Sequence, residues 1–237
     1  MSEYTGTENL EVMTDAVNYN NFLVSLIRCE LCSGDKVVDF GAGIGTFAQA
    51  VTGGGYNIHC IEPDFRQLAR ILESGLSASP DLGSLDNGSI DLLYSLNVLE
   101  HIDDDVAALH LCHEKIKPGG RLVIYVPAFQ ILYSSMDKNV GHFRRYTRTA
   151  LSEKVCAAGF DVVRSEYVDS AGFLASLLFK AFGNDNGSIN RSALIAYDRY
   201  VFPLSRLADR ILSRAFGKNV FLTARRPSLG SAKQNTA

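Results

Sequence analysis

Short apolar segments alternate with stretches of helical periodicity along most of the chain. Strand-like apolar segments lie at residues 37–40, 57–61, 91–95, 121–126, 160–168 and 220–224. Apolar residues recur at helical spacing in other segments, which are 9–32, 64–73, 104–115 and 149–158. Strands that alternate with helices predict a mostly parallel sheet with helices on both faces. We therefore expect an α/β fold with a doubly wound sheet.

Capping residues and prolines predict several boundaries of these elements. Asp64 is placed to cap the N-terminus of a helix, and Gly159 is suited to end one. Strand 121–126 stops at Pro127. The segment 77–89 is rich in Ser, Gly, Asp and Pro. It therefore predicts mostly loop, and the third strand is poorly defined.

The character of the chain changes after residue 168. A strongly apolar helix is predicted over residues 171–182, followed by a Gly/Asn/Asp linker at 183–187 and a helical stretch at 189–215 that is interrupted at Pro203. We expect a core at 1–168, a helical acceptor-side extension at 169–226 that returns to a last strand, and a disordered tail at 227–237.

Composition is typical of one folded core with an appendage. The chain has 237 residues, of which 46% are hydrophobic and 21% are charged. We expect neither a signal peptide nor a membrane span, because the given sequence shows no basic-then-apolar run at its start and no apolar run that approaches ~18 to 20 residues. The five cysteines are odd in number, which favours reduced thiols and a cytoplasmic protein. Cys29-x-x-Cys32 suggests a metal half-site, but helix packing is the interpretation we adopt because no second ligand pair has suitable spacing.

Charge is distributed unevenly although the net charge is only −3. Residues 180–226 carry nine basic residues against three acidic ones, which are Asp185, Asp198 and Asp209. Arg199, Arg206, Arg210 and Arg214 are predicted close to one face of the 189–215 helical stretch. This basic segment predicts either a helical layer that closes an acceptor pocket or a peripheral membrane contact through 171–215, with ordinary helix packing as the alternative.

The segment from Val37 to Phe47 carries the most informative chemistry. Asp39 ends a short apolar strand, and Gly41, Gly43 and Gly45 follow at alternate positions before a helix begins. Such glycines allow a sharp turn and the close approach of a ligand. The G-x-G-x-G spacing differs from the G-x-G-x-x-G of dinucleotide loops. Glu62 ends the second strand, where a carboxylate accepts ribose hydroxyls, so the pattern predicts an adenosine-type ligand without a phosphate.

Two later segments extend this pattern into a family resemblance. They are Ile90-Asp91-Leu92-Leu93-Tyr94-Ser95-Leu96-Asn97-Val98-Leu99-Glu100-His101-Ile102 and Lys117-Pro118-Gly119-Gly120-Arg121-Leu122-Val123-Ile124. With the glycine motif they resemble, in order and spacing over about residues 17–168, the class I S-adenosylmethionine-dependent methyltransferases. The resemblance implies a Rossmann-like, mostly parallel seven-stranded sheet with added C-terminal helices, and it implies S-adenosyl-L-methionine as the cofactor.

The resemblance also assigns roles on the cofactor side. Asp39 is expected to receive the amino group of the methionine moiety, although a strand-end acid also caps turns. The three glycines admit the cofactor, Glu62 binds its ribose, and Asn97 either contacts the cofactor or only turns the chain. Tyr19 is a further cofactor-binding candidate. The adenine contacts are not defined by any motif, and Leu85 and Asp86 are the nearest candidates.

A basic-aromatic segment predicts the acceptor side. It runs Gly141-His142-Phe143-Arg144-Arg145-Tyr146-Thr147, after the fifth strand, and resembles a G-H-[FY]-R-R-Y run of bacterial methyltransferases linked with saccharide or envelope biosynthesis. Tyr133, Arg144, Arg145 and Tyr146 are expected to bind an anionic or polyhydroxylated acceptor. The alternative is a salt-bridged loop over the edge of the sheet. For a general base, His142 is a better candidate than His101.

The remaining patterns narrow the function. His59, His110 and His113 fit packing or surface positions, and no set along the chain has metal-ligand spacing, so we expect a metal-independent enzyme. The acidic core and the lack of a proline-rich element after the fourth strand disfavour nucleic acid. We expect methyl transfer to an O or N atom of a small-molecule or lipid/saccharide-linked acceptor. The alternatives are a binding or scaffold protein without turnover and an NAD(P)-dependent oxidoreductase.

Overall fold

The computed structural model describes residues 11–53, 55–182 and 190–228. The predicted linker at 183–187 and most of the predicted tail at 227–237 lie outside these residues, as do the first two residues of the helical segment predicted from residue 9. Within the described ranges, no helix has the length and apolar character needed to cross a membrane.

The described chain forms one seven-stranded sheet with the order β3-β2-β1-β4-β5-β7-β6. The strands are β1 (Lys36–Phe40), β2 (Asn57–Ile61), β3 (Ser77–Ser79), β4 (Ile90–Leu96), β5 (Ile116–Pro127), β6 (Asp161–Val168) and β7 (Asn219–Arg225). The first five strands pair in parallel, whereas β7 lies antiparallel between β5 and β6. The predicted doubly wound, mostly parallel sheet is confirmed.

Helices cover both faces of this sheet. They are α1 (Val17–Glu30), α2 (Thr46–Thr52), α3 (Phe65–Glu73), α4 (Asp105–Lys115), α5 (Ser135–Asn139), α6 (Arg148–Ala157), α7 (Ser170–Phe182), α8 (Arg191–Ala196) and α9 (Phe202–Leu212). Alternate residues of the central strands enter two buried apolar clusters, as the two-residue period of a strand requires. One cluster includes Leu109 of α4 and Leu151 of α6, and the other includes Leu23 of α1 and Ile71 of α3.

The third strand, which the sequence leaves poorly defined, lies at the start of segment 77–89, and the rest of that segment is mostly loop as predicted. β3 is short and polar, so neither apolar alternation nor length revealed it. It pairs in parallel with β2, and the His59 ring of β2 lies within hydrogen-bond distance of the Ser77 and Ser79 hydroxyls, at 2.6 and 2.9 Å. His59 therefore has a cross-strand structural role, and the strand depends on a partner that local sequence does not show.

The helical stretch near Pro203 also differs from the predicted interruption. A π-helical segment, Tyr197–Val201, joins α8 to α9, and Pro203 lies in the first turn of α9. The Phe202 N–H donates to the Tyr197 carbonyl, so helical backbone continues into α9, and the π-helical turn lies directly before the proline, where helices commonly deform. The Arg206 side chain lies 3.8 Å over the Phe22 ring and pairs with Asp209, so it does not join the other arginines on an outer face.

Two buried aspartates tie the C-terminal helices to the rest of the fold. Asp198 accepts hydrogen bonds from the backbone N–H groups of Asn18 (2.9 Å) and Tyr19 (2.8 Å), in the first turn of α1. Asp209 accepts equivalent bonds from Asp169 and Ser170 at the start of α7, both at 2.9 Å. Each carboxylate thereby caps a helix that has unpaired N–H groups and a positive end there.

Candidate active site

The glycine loop follows β1 at the carboxyl edge of the sheet. Gly41, Gly43 and Gly45 all have positive φ angles, of 82°, 56° and 81°. A Cβ atom at Gly41 would lie 2.3 Å from Cγ2 of Val98, which follows β4. The loop is therefore packed against the β4 end of the sheet, and glycine is required by both conformation and space.

Asp39 lies in the interior beside Tyr94 of the neighbouring strand. The Tyr94 hydroxyl donates a 2.9 Å hydrogen bond to Oδ2 of Asp39, and these residues are paired in the β1–β4 register. Burial raises the pKa of Asp39 to about 7, although the Tyr94 hydrogen bond opposes this shift. The sequence analysis did not identify Tyr94, whose only signal is a phenol within an otherwise largely aliphatic strand.

Glu62 joins the end of β2 to the glycine loop. Its Oε2 atom accepts a 2.7 Å hydrogen bond from the Gly43 N–H, and Oε1 accepts one of 3.0 Å from the Asp64 N–H. Burial raises the pKa of Glu62, and the two backbone hydrogen bonds lower it in part. Each carboxylate oxygen retains a further lone pair, so the group still has acceptor capacity toward ribose hydroxyls.

Asn97 and Tyr19 meet beyond the end of β4. Asn97 has a positive φ of 55°, which asparagine tolerates better than most residues, and its N–H donates to the Tyr125 carbonyl at 2.7 Å. The Tyr19 ring packs edge-on against Tyr125 with a centroid distance of 6.2 Å. Burial raises the pKa of Tyr19 to about 12, while contacts with Tyr125 and Asn97 partly oppose this shift. Asn97 thus turns the chain, as the alternative interpretation held, and it also adjoins the predicted cofactor residue Tyr19.

These groups suit an adenosyl ligand that carries an amino acid. β1 and β4 are adjacent in the sheet although they are not consecutive along the chain, and ligands of such sheets bind where the strand order reverses. Asp39 and Glu62 offer carboxylates on neighbouring strands, while the glycine loop offers backbone without side chains. Leu85 is one of the two adenine-side candidates. Its backbone carbonyl accepts a 2.7 Å hydrogen bond from the Lys115 ammonium group, so this carbonyl already has a partner within the protein.

The acceptor side is organised around Asp137. Its Oδ1 atom lies 2.7 Å from Nδ1 of His142, and Arg145 binds the same carboxylate with Nε at 2.8 Å and a terminal nitrogen at 3.0 Å. Burial alone would raise the pKa of Asp137, but the hydrogen bonds from His142 and Arg145 hold it well below its ordinary range. An anionic Asp137 therefore fixes the imidazole of His142 through Nδ1, and Nε2 is not used in this contact. The sequence analysis did not predict Asp137 as a site residue.

Glu100 and His101 complete this side, on a short 3-10 turn after β4. Glu100 is fully buried, and neither carboxylate oxygen has a hydrogen-bond partner on another described residue. Burial raises the pKa of Glu100 to about 8. The His101 and His142 rings meet edge-on at 4.5 Å between centroids, and burial, followed by the effect of His142, lowers the pKa of His101 to about 4. Both predicted histidines therefore lie together, beside a carboxyl group that was not predicted as a site residue.

The other predicted acceptor contacts are engaged within the protein. The buried Tyr146 hydroxyl donates to Oδ2 of Asp105 at 2.8 Å, and Arg144 pairs with the same carboxylate at 2.9 Å. The Tyr133 hydroxyl donates to the His142 carbonyl at 2.6 Å. These contacts favour the alternative of a salt-bridged loop for Tyr133, Arg144 and Tyr146, and their role in acceptor binding stays a prediction.

The structure also assembles a candidate metal-ligand set. One ligand atom from each of Glu100, His101 and His142 lies within 4.8 Å of the others. These residues are 1 and 41 positions apart along the chain, so spacing in the sequence did not suggest a site. A carboxylate and two imidazoles match a common donor set for transition metals.

Comparisons with known proteins identify the family of the chain. The model of a family described as a methyltransferase domain matches residues 20–165. The ubiquinone biosynthesis O-methyltransferase of Xanthomonas euvesicatoria pv. vesicatoria (strain 85-10) is 32% identical over 107 residues, which cover 41% of this chain and 44% of that protein. The chain thus spans less than half the length of this curated relative.

Solved structures share the fold at low sequence identity. Phosphoethanolamine N-methyltransferase 2 of Haemonchus contortus, solved with S-adenosyl-L-methionine, has a TM-score of 0.63 and 18% identity, over 89% of this chain and 53% of that chain. An S-adenosylmethionine-dependent methyltransferase of Mesorhizobium loti has a TM-score of 0.56 and 19% identity, over 85% and 96% of the two chains. At these identities the likeness concerns the fold alone.

Proposed function

The chain belongs to the family of methyltransferase domains, and from this premise we propose that it transfers a methyl group from S-adenosyl-L-methionine to an oxygen or nitrogen atom of a small-molecule or lipid/saccharide-linked acceptor. The observation that carries the proposal is the arrangement of Asp39, the glycine loop and Glu62 around the β1–β4 reversal. The O-methyltransferase activity named for the Xanthomonas relative supports oxygen as the acceptor atom.

On the cofactor side, this chain's residues bind and orient. Asp39 receives the ammonium group, Glu62 accepts from the ribose hydroxyls, and Gly41 and Gly43 allow the ligand to lie against the backbone. Tyr19 and Asn97 form the neighbouring wall. When bound, the cofactor supplies a sulfonium methyl group that is already activated for transfer. Alignment and exclusion of water then provide most of the acceleration, since effective molarities of aligned groups reach ~10⁵ M and above.

On the acceptor side, His142 is the proposed proton acceptor. Asp137 binds Nδ1, which leaves Nε2 to take a proton from an acceptor hydroxyl or amine. His101 is the weaker candidate because burial holds its pKa at about 4. The predicted acceptor-binding set is completed by Tyr133, Arg144, Arg145 and Tyr146. A positioned base of this kind contributes typically ~10² to 10⁴ in rate.

A lipid-linked acceptor is supported by the outer surface of α9. Four well-exposed apolar side chains follow one another at intervals of about one helical turn. They are Tyr200, in the π-helical segment that leads into α9, and Leu204, Leu207 and Ile211 of α9, of which Ile211 is 84% exposed. Arg199, Arg210 and Arg214 are exposed in the same helical layer. A cavity of about 590 Å³ adjoins these side chains and is lined by Leu207 and Arg210 and by two ion pairs, Arg164–Glu166 and Arg206–Asp209. Apolar side chains flanked by arginines complement an anionic phospholipid surface.

Flotation with vesicles tests this surface. We expect the protein to float with phosphatidylglycerol-containing vesicles and less with neutral phosphatidylcholine vesicles, and salt should weaken the interaction. The double variant Leu207→Gln/Ile211→Gln should stay in the unbound fraction. Phe65→Ser is the matched control, since Phe65 is an equally exposed apolar residue at the start of α3, outside the C-terminal layer. Equal flotation of both variants, or none by the unaltered protein, would overturn the membrane contact.

Calorimetric titration tests the cofactor site itself. S-adenosylmethionine and S-adenosylhomocysteine should bind the protein, NAD(H) should not, and Glu62→Ala should weaken both adenosyl ligands. An acceptor screen with methyl-labelled cofactor then separates an enzyme from a binding protein without turnover. Preference for NAD(H), or no adenosyl binding, would reject the proposal.

A further inference from the structure

We propose that Glu100, His101 and His142 form a binding site for a single divalent transition-metal ion of the Zn²⁺ type. Three residues from two separate segments supply one ligand atom each, all within 4.8 Å of one another. In a tetrahedral complex with bonds of about 2.1 Å, ligand atoms lie about 3.4 Å apart. The Nε2 atom of His142 and Oε1 of Glu100 are already 3.9 Å apart. Small side-chain rotations therefore suffice to close the set around an ion.

The environment of Glu100 is the second observation that favours a ligand. This carboxyl group is 0% exposed, and neither oxygen has a partner on another described residue. A buried polar group that lacks a hydrogen bond carries an uncompensated desolvation penalty, which is larger when the group is charged. An ion between Glu100 and the two imidazoles would supply the missing partner for its oxygens.

Asp137 supports the same assignment from outside the ligand set. Its carboxylate binds Nδ1 of His142 at 2.7 Å, and Arg145 binds that carboxylate in turn. Metal-bound histidines generally donate their other ring N–H to such a group, which holds the ring in place and raises the basicity of the ligating nitrogen. His101 also has hydrogen bonds with the backbone at Val140 and Gly141. Asp137 is thus a positioning residue for the ion.

The donor atoms indicate the class of ion. Two imidazole nitrogens and one carboxylate oxygen suit Zn²⁺ and neighbouring transition metals, whereas Mg²⁺ and Ca²⁺ prefer oxygen ligands alone. Three protein ligands leave a fourth position open. The His142 side chain is 15% exposed, whereas the Glu100 side chain is completely buried. The open position is therefore expected on the histidine side, toward solvent and the acceptor.

This inference rests on the proposed function, offers an alternative to proton acceptance by His142 on the acceptor side, and departs from the expectation of a metal-independent enzyme. Nε2 of His142 cannot hold a metal ion and accept a proton at once. An acceptor hydroxyl in the open position would release its proton to water as its oxygen binds the ion. That oxygen then bonds to the methyl carbon while the carbon–sulfur bond breaks, and sulfur keeps the electron pair.

Titration with Co²⁺, followed by its visible absorption, tests the site without cofactor or acceptor. The protein is prepared without a histidine tag, stripped with chelator, and carries Cys29→Ser/Cys32→Ser because these exposed thiols are competing ligands. We expect one equivalent of Co²⁺ to bind with a tetrahedral spectrum, and Zn²⁺ to displace it. Glu100→Gln and His142→Ala should abolish saturable binding. Asp137→Asn should weaken it by about 10- to 100-fold.

His110→Ala is the matched control, since His110 is an exposed histidine on α4, and it should bind Co²⁺ normally. Because substitution of a buried group can prevent folding, paramagnetic NMR of the protein with these ligands intact provides a second readout. Co²⁺ should shift the ring protons of two histidines, His101 and His142. Absence of stoichiometric binding, or unchanged binding by folded Glu100→Gln, overturns the metal site. Either result leaves the cofactor titration unaffected, so failure of the two proposals is distinguishable.

Discussion

The hydroxyl group of Tyr94 donates a 2.9 Å hydrogen bond to Oδ2 of Asp39 in the interior of the sheet. Asp39 is 3% exposed, and its burial raises its pKa to about 7. The group proposed to bind the ammonium of the cofactor is therefore partly protonated near neutral pH in the absence of ligand. Both cofactor affinity and stability should depend on this proton.

Cofactor affinity should rise with pH through this range. A cation binds the ionised carboxylate, so below about pH 7 Asp39 must first lose its proton, and the affinity should fall about tenfold for each pH unit. Asp39→Asn should bind more weakly and show a flatter profile between pH 5.5 and about 7. Calorimetry at a series of pH values measures both effects. A profile of the same slope in Asp39→Asn would show that another group is responsible.

The stability of the ligand-free protein should show the opposite trend. Between the ordinary pKa of 3.8 and the folded-state value of about 7, folded Asp39 keeps a proton that the unfolded chain releases. Raising the pH through this window therefore removes stability, by up to about 1.4 kcal/mol for each unit of pKa difference. Asp39→Asn should lose this dependence and unfold at higher denaturant concentration at pH 8. Urea titrations of both proteins at pH 5 and pH 8 provide the measurement.

Asp198 should couple the C-terminal helical segment at 191–212 to the cofactor site. Its carboxylate caps α1 at Asn18 and Tyr19, and Tyr19 lies beside Asn97. Asp198→Ala should lower the free energy of unfolding by about 1 to 2 kcal/mol and weaken cofactor binding severalfold. Asp198→Asn, which keeps a carbonyl oxygen, should restore part of the affinity.

Asp209→Ala is the matched control for that prediction. Asp209 is an equally buried aspartate that caps α7, and it accepts hydrogen bonds from Asp169, Ser170 and Arg206, whereas Asp198 accepts them from Asn18 and Tyr19 of α1. A similar loss of stability with unchanged cofactor affinity is expected. If both alanine variants weakened the cofactor equally, general destabilisation would explain the effect of Asp198→Ala.

Substitutions on the acceptor side should affect turnover more than cofactor binding. His142→Ala should reduce kcat by at least about 10²-fold, because His142 either accepts the proton or holds the ion that activates the acceptor. Asp137→Asn should act in the same direction by a smaller factor, because it misorients the imidazole. Steady-state kinetics with an acceptor from the screen, alongside calorimetry, separates the two effects. His110→Ala should retain full turnover, and an unchanged kcat in His142→Ala would exclude both roles.

Family and fold class were readable from the sequence because their determinants are local. Gly41, Gly43 and Gly45 have positive φ angles within one loop. Asp39 is the penultimate residue of β1 and Glu62 directly follows β2, so spacing along the chain was informative. The resemblance to class I S-adenosylmethionine-dependent methyltransferases is confirmed by the match over residues 20–165. Apolar alternation was also sufficient for most of the strands, because a strand buried on both faces must be apolar.

Local sequence was insufficient where a contact spans distant segments. β3 was poorly defined because its residues are polar and their partner is His59 of another strand. Asp198 and Tyr19 are 179 positions apart, and no pattern along the chain indicates that one caps the helix of the other. Arg206 turned inward because Phe22 and Asp209 are neighbours only in the folded protein.

The sequence by itself therefore determined the family and most of the sheet, and it predicted the residues of the cofactor side, since all of these depend on short segments with a fixed local geometry. Only the tertiary structure decided the acceptor side. It brought Asp137, His142 and Arg145 into one ion-pair network and placed the Glu100 carboxyl group, which has no hydrogen-bond partner on another described residue, beside two imidazoles. Burial also set the pKa values of Asp39 and Glu100, because desolvation depends on everything packed around a carboxyl group.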